Sequence, residues 1–435
     1  MRDLLPEETA TWSRVERLAE DLSARRGYRR VVTPILEHTE VFAHGVGAGT
    51  DIVDKEMYTF EDRGGRSLTL RPEATASVVR AYFEGGLHQG PQPARLHYLG
   101  PMFRYDRPQK GRYRTFQQFG VEAIGDAAPE LDVEVIELAD AWLRACGIDD
   151  ATLQLNSIGD AVCRPGFRRA LQDYYRPHLP NLCEDCRRRF DTNPLRLLDC
   201  KKPADEPLQA GAPSPVDHLC DDCRAHHGRV RDELTGLGIE FEENPRLVRG
   251  LDYYTRTAFE FWDPGIDGAQ NALGGGGRYD GLAEVLGFQA TPAVGFAMGL
   301  DRVVLAVQER GAGSPPDRPD VVVIAAADAA VSLGLEVARD LRRVGIATVS
   351  AVPGRSLKAQ MRQATKLDAP AVVIIGEEEL DRGEATVRDM ADGAQARVPL
   401  GTQSAGLVDA LRTILAATDA SGETAAVGPV PGAEQ

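Results

Sequence analysis

Hydrophobic positions change their period along this chain, and each change marks a predicted element. Trp12, Val15, Leu18, Ala19 and Leu22 fall on one stripe at helical spacing, predicting an opening helix over residues 7–26 that Gly27 ends. β-Branched Val31, Val32 and Thr33 predict a short strand interrupted by Pro34, which suits either a subunit contact or an ordinary strand end. Residues 57–71 read as a hairpin around Gly64-Gly65, and Pro72 with Glu73 opens a helix reaching about residue 84. Two apolar-flanked strands follow at 96–103 and 115–124, then a helix at 129–146 with Leu131, Val135, Leu138, Ala139 and Trp142 on one side. A strand is expected at 152–156, and Asp160 is read as the cap of a helix running to about residue 175.

Order weakens from about residue 179 to 228 and returns with a strand at 257–261. Residues 292–307 join a small-residue strand to a helix starting near Leu300. A Gly/Pro/Asp-rich linker occupies 310–320, after which strands and helices alternate, predicting a parallel sheet covered on both faces. The small, polar end from about Thr418 is expected to be disordered.

Composition narrows the class. A chain of 435 residues has room for about three domains and a substantial core. The net charge of −16 argues against indiscriminate nucleic-acid binding and directs attention to local basic surfaces. With neither a membrane-length apolar run nor a secretory pattern in MRDLLPEETA, a cytoplasmic protein is expected. Seven cysteines, an odd number, then favour reduced thiols over a disulfide framework.

The candidate chemistry is concentrated between the strands at 96–103 and 115–124. There Arg104, Arg107, Lys110, Arg112 and Arg114 face one acid, Asp106, while Gln118 and Glu122 share one face of the second strand. Such a hairpin suits a phosphate beside a polar cation, or else is a solvated basic loop. Glu73 fits either a helix start or an amine ligand. Arg249-Gly250 before Tyr253-Tyr254 suits a phosphate clamp beside an aromatic pocket. LGGGGRYDGL, residues 273–282, lacks the P-loop Lys and Ser/Thr and implies close backbone approach or a tight strand entry. Arg302 stands in a helix's first turn, where the dipole disfavours a cation.

Two Cys-x-x-Cys pairs, Cys183/Cys186 and Cys220/Cys223, suit one tetrahedral zinc, with Cys200 between them as a rival ligand; the other reading is a set of reduced thiols. From Arg339 to Lys366 seven basic residues face Asp340, which suits a nucleic-acid backbone or an ordinary solvated helix face.

Taken together and in order, TPILE, FRYDRPQKGRYRTFQQFGVE and GFAMGLDRV resemble the three signatures of class II aminoacyl-tRNA synthetases. LVRGLDYYTRTAFEF and GGGGRYDGL resemble segments peculiar to the histidyl-tRNA synthetase family, and the likeness covers nearly all of residues 1–415. This resemblance implies an α+β catalytic domain at 1–316 with a six-stranded antiparallel sheet and a helical insertion at 160–230. It also implies an α/β anticodon-binding domain at 317–417, leaving a tail at 418–435. The implied activity is ATP-dependent activation of L-histidine and its transfer to the 3′ end of the histidine tRNA, with Mg2+ on the ATP and a homodimer joined near Pro34.

By the same resemblance, Arg104, Arg302 and Arg249 hold ATP, with Arg104 and Arg249 on opposite sides of the α-phosphate. Glu73, Thr75 and Gln118 would take the α-amino group, and Glu122 and Tyr254, with Tyr253 alongside, the imidazole. Gln109 and Lys110 in the loop at 107–112 would meet tRNA. Departures are Ala74 where the family has glycine, Gln117 where it often has histidine, and a start at MRDLLP that suggests residues upstream. The competing reading is a non-catalytic, histidine-sensing regulatory paralogue; such relatives lose the ATP-binding arginines and the C-terminal module, both present here.

Overall fold

Alternation along residues 115–124 decides how the larger unit is layered. Phe119, Val121 and Ala123 join one hydrophobic cluster, while Ile124 joins another on the opposite face with Tyr98 and Tyr279. The computed structural model describes residues 2–47, 50, 52–107, 109–200, 202, 205–248, 253–266, 271–401 and 404–422. It divides into two compact units at Ser314/Pro315.

The strands of the first unit are β1 (Arg29–Arg30), β2 (Leu36–His38), β3 (Tyr58–Glu61), β4 (Ser67–Leu70), β5 (Ala94–Phe103), β6 (Thr115–Ile124), β7 (Thr152–Ser157), β8 (Phe241–Glu243), β9 (Thr255–Trp262), β10 (Ala272–Arg278) and β11 (Ala293–Gly299). The main sheet has the order β1-β5-β6-β11-β10-β9-β7-β8. Its inner six strands pair antiparallel throughout, and β1 and β8 add to the edges in parallel. The sheet is therefore the expected six strands widened by two short edges. A second sheet, β2-β4-β3, contains the hairpin at Gly64-Gly65.

Helices α1 (Pro6–Arg25), α2 (Thr39–Val46), α3 (Thr75–Glu84) and α4 (Pro129–Ala145) precede β7, and α9 (Leu282–Val285) and α10 (Leu300–Glu309) flank β11, numbered in chain order. Helices α1, α4 and α10 cover one face of the main sheet, burying Trp12, Val15, Trp142, Val304 and Val307 against Phe119 and Phe296. Trp142 satisfies its indole N–H on the Val15 carbonyl at 3.2 Å, which ties α4 to α1.

Between β7 and β8 lies the helical insertion, with α5 (Arg164–Tyr175), α6 (Glu184–Thr192), α7 (Glu206–Gln209) and α8 (Asp221–Gly236). Asp160 does not cap α5, whose preceding residue is Cys163. Its Oδ1 instead accepts from the amides of Val162 and Cys163 at 2.9 and 3.4 Å, closing a turn ahead of the helix.

The second unit contains β12 (Val321–Ala325), α11 (Val331–Arg343), β13 (Thr348–Ser350), α12 (Leu357–Lys366), β14 (Ala371–Ile375), α13 (Glu377–Arg382), β15 (Glu384–Asp389), β16 (Gln395–Pro399) and α14 (Ala405–Gly422). Its sheet runs β13-β12-β14-β15-β16, and only the first three strands are parallel. The three strands expected to be parallel are so, and β15 and β16 extend them as an antiparallel hairpin: α13 is too short to cross over, and the turn after Asp389 returns the chain. Helix α14 continues past Thr418, so the boundary expected there is also corrected; residues 423–435 lie outside the described ones.

Candidate functional site

Strand β6 carries Gln118, Gly120 and Glu122 on the face opposite α1, α4 and α10. Against that face lie the start of α3, the residues leading into β9, and the hairpin loop. A cavity of ≈930 Å³ opens there, lined by Glu73, Thr75, Gln118, Tyr253 and Tyr254 together with Arg104, Arg112 and Arg302. Segments remote in sequence thus converge as expected. Arg249 lies outside the described residues.

Glu73 takes the helix-start role and also lines the cavity. Its carboxylate accepts from the amides of Thr75 and Ala76 at 2.7 and 3.0 Å, capping α3, and it faces the cavity. Burial raises its pKa against those amide bonds. Gln118 is only 7 % exposed, and its Oε1 has no partner among the described residues. A buried amide oxygen left unpaired suits a donor brought in by a ligand.

Glu122 is placed differently from expectation. It does not line the cavity itself: Thr75 Oγ1 donates to it at 2.8 Å and Tyr98 OH at 3.4 Å, and Tyr279 OH makes a short bond to its other oxygen. Burial pushes its carboxyl up to about 8, against the three hydroxyl donors. Burial likewise holds the Tyr98, Tyr253 and Tyr279 phenols well above their ordinary value, so they stay protonated donors.

Tyr98 and Tyr279 were not singled out in the sequence. Their signal was available in small residues at cross-strand positions. A Cβ at Gly120 would lie 2.3 Å from the Tyr98 hydroxyl, and one at Gly295 would lie 1.9 Å from Glu122 Oε2. The glycine run has the same origin: a Cβ at Gly275 or Gly276 would strike the carbonyl of Phe259 or Gly295, and one at Gly277 the ring of Tyr254 at 2.9 Å. The close approach is therefore mainly strand against strand, with Gly274 alone of the four lining the cavity.

The arginines form the electropositive part. Arg104 donates to the Pro72 carbonyl at 2.8 Å and lies over the Phe116 ring at 5.4 Å. Arg302 donates through Nε to the Gly111 carbonyl at 3.2 Å and through Nη1 to that of Ala272. These carbonyls offset the unfavourable helix-start position noted above. Burial lowers the pKa of both, and the charge of Arg112 adds to the effect on each. The guanidiniums of Arg104, Arg112 and Arg302, on a cavity that Arg246 also lines, favour a polyanion. At the loop tip, Gln109 and Arg112 exchange backbone bonds of 3.1 and 2.9 Å, Arg112 pairs with Asp106, and Lys110 Nζ pairs with Glu309 at 2.5 Å.

A network absent from the sequence reading supports the floor. Arg278, wholly buried, holds Asp132 Oδ1 and the carbonyls of Asp126 and Ala128, while Asp132 Oδ2 accepts from Thr257 Oγ1 at 2.6 Å and bonds His226 Nε2 at 2.7 Å. It joins α4, α8, β9 and β10 beneath the residues that meet Glu122.

The expected four-cysteine zinc site is not formed. Cys220 and Cys223 gather with Asp160 and Cys163, whereas Cys183 and Cys186 gather with Cys200 and Asp205. Helix α8 is anchored to the sheet side through His226 and Asp132, which draws its first turn to the end of β7. Helix α6 packs inside the insertion with Phe190, Leu197 and Cys200 in one apolar cluster. The two pairs are thereby separated. Cys146 stands apart in the main core.

Among the described residues no helix is long and apolar enough to cross a membrane. Residues 1–303 match the family model described as histidyl-tRNA synthetase, and residues 320–408 match the anticodon binding domain. The chain is 54 % identical over 401 residues to the histidine–tRNA ligase of Desulforudis audaxviator, covering 92 % of this chain and 95 % of that protein. The corresponding enzyme of Desulforamulus reducens is 51 % identical over 399 residues, with the same coverage. The crystal structure of apo S. aureus histidyl-tRNA synthetase superposes with a TM-score of 0.79 at 36 % identity, covering 95 % of this chain and 98 % of that one. With its cavity, its antiparallel sheet and both matched regions in agreement, the chain belongs to the histidyl-tRNA synthetase family.

Proposed function

We propose that this protein is a histidine–tRNA ligase that works through the cavity on β6. The carboxylate of L-histidine attacks the α-phosphorus of ATP, forming a P–O bond and releasing pyrophosphate. A terminal tRNA hydroxyl then attacks the acyl carbon and releases AMP. The observation that carries this reading is the meeting of Arg104 and Arg302 with Glu73, Thr75, Gln118 and Tyr254 around one cavity. Two anions must approach in the first step, and fixed guanidiniums lower that barrier by meeting charge as it develops.

Arg104 is assigned to the α-phosphate and Arg302 to adenine and the outer phosphates. Arg249 is assigned to the far side of the α-phosphate on its place in LVRGLDYY. Glu73, Thr75 and Gln118 take the ammonium group. Tyr254 takes the imidazole, with Tyr253 alongside, and Glu122 acts on it through the hydroxyls of Thr75, Tyr98 and Tyr279 that bond its carboxyl. A site of buried polar groups rejects side chains that leave those groups unpaired. Magnesium would come with ATP, for which cavity carboxylates such as Glu260 would offer oxygen ligands.

For tRNA, Lys358, Arg362 and Lys366 recur every four residues along α12 and are exposed, which suits the backbone of the anticodon arm. Gln109 and Lys110 are assigned to the acceptor end, where Lys110 exchanges Glu309 for phosphate. Exposed Val32, Ile35, Leu36 and Phe60 suit the interface of a homodimer. The work is assigned to the cytoplasm, with the tRNA.

A regulatory paralogue is disfavoured because Arg104 and Arg302 are retained at the cavity and residues 320–408 match an anticodon binding domain. Histidine-dependent ATP–pyrophosphate exchange, followed by charging of purified histidine tRNA, tests the proposal. Exchange with none of the twenty amino acids overturns it.

A further inference from the structure

The geometry points to two separate structural zinc sites in the helical insertion, each built from three cysteine thiolates and one aspartate. The first is Asp160, Cys163, Cys220 and Cys223; the second is Cys183, Cys186, Cys200 and Asp205. Within each set the four ligand atoms lie within 4.8 Å of one another.

The spacing fits one ion per set. A tetrahedral zinc with sulfur at about 2.3 Å and oxygen at about 2.0 Å requires S···S edges of roughly 3.8 Å and S···O edges of roughly 3.5 Å. In the first set Cys163 and Cys223 sulfurs are 3.8 Å apart, and Asp160 Oδ1 lies 3.6 Å from Cys163 Sγ and 4.0 Å from Cys220 Sγ. In the second, Cys183 and Cys200 sulfurs are 3.8 Å apart and Cys200 Sγ lies 3.2 Å from Asp205 Oδ2. All these cysteines are free, and the S···S gaps far exceed the roughly 2.05 Å of a disulfide.

The surroundings orient the ligands as an outer shell does. Arg256 lies 3.4 Å from Asp160 Oδ2, while Oδ1, which also accepts the Val162 and Cys163 amides, faces the thiols. Amides of Asp160 and Cys186 donate to Cys163 and Cys183 sulfurs at 3.3 and 3.4 Å, and the Cys183 amide donates to Asp205 Oδ1 at 3.0 Å. A Cβ at Gly159, whose φ is +68°, would sit 2.4 Å from Cys163 Sγ, so only glycine leaves that sulfur its place. Thiolate-rich tetrahedral sets select zinc over magnesium or calcium, and binding displaces the thiol protons. The first ion joins α8 to the end of β7. The second closes the insertion beside the cavity, where Cys200 and Gln209 form part of the wall.

The test is metal analysis of the full chain purified under reducing conditions. Two zinc ions per chain are expected in the wild type, one in Cys163→Ser, one in Cys200→Ser and none in the double variant. A single zinc lost in both single variants would mean one shared site and overturn the proposal. So would iron in place of zinc, or a wild-type chain that holds no zinc and takes up none on titration. Should the variants misfold, Co2+ titration of the metal-stripped wild type reads the same number: two equivalents with tetrahedral thiolate absorption support the proposal, and one or none refutes it.

Discussion

Tyr279, the residue that follows β10, donates its phenolic hydrogen to the carboxyl of Glu122 on β6, across the intervening β11. The neighbouring Arg278 turns toward α4 and is held by Asp132, so the end of β10 is gripped on one side of the sheet while it positions Glu122 on the other. Removing the phenol hydroxyl should therefore act on histidine rather than on ATP. Losing this buried hydrogen bond is worth about 1.5 kcal/mol. Tyr279→Phe is expected to raise the KM for histidine roughly tenfold while the KM for ATP changes less than about twofold, as read by pyrophosphate exchange.

The buried Glu122 also imposes a pH dependence on stability. Its folded value, about 8, lies above the ordinary 4.5, so the native state keeps a proton that the unfolded chain releases. Its contribution is fully present below about pH 4.5 and is lost as pH rises to 8 and beyond. In urea melts across this window, wild type should lose stability with rising pH more steeply than Glu122→Gln, which lacks the titrating carboxyl. Equal pH slopes in the two proteins would contradict the assignment.

The Arg278–Asp132 pair should matter for folding more than for chemistry. Both side chains are wholly buried, and removing one partner strands the other. Arg278→Met is expected to cost about 3 kcal/mol in denaturant unfolding, at the lower end for such pairs because His226 and Thr257 still bond Asp132. Arg278→Met combined with Asp132→Asn should cost less than the sum of the single changes.

Arg104 and Arg302 should separate binding from catalysis. Truncating either to alanine is expected to slow pyrophosphate exchange by about 10²–10³-fold, the usual cost of removing a group that meets transition-state charge. Histidine binding, followed by calorimetry without ATP, should stay within about threefold, because neither arginine bonds the Glu73–Thr75–Glu122 cluster.

Local pattern determined a good deal of this protein. Helices α1, α3 and α4, strands β5, β6 and β7, the strand-to-helix step at Leu300 and the shared face of Gln118 and Glu122 follow from side-chain period and turn residues, which act over a few neighbours; the strand expected at Val31–Thr33 instead pairs only at Arg29–Arg30, and α2 was not foreseen. The candidate arginines and the acid at Glu73 were legible because charge confined to one short loop, or set at a helix start, is visible without a fold.

Tertiary structure decided what depends on contacts between distant segments. It covered Glu122 with Tyr98 and Tyr279 and buried Arg278 against Asp132. It made β15 and β16 a hairpin, and it divided the cysteines between two groups when spacing suggested one. Each outcome was set by which residues pack side by side. Pairing across strands and the anchoring of α8 are fixed by burial and hydrogen bonding over separations of tens to more than a hundred residues, where sequence spacing carries no geometric constraint.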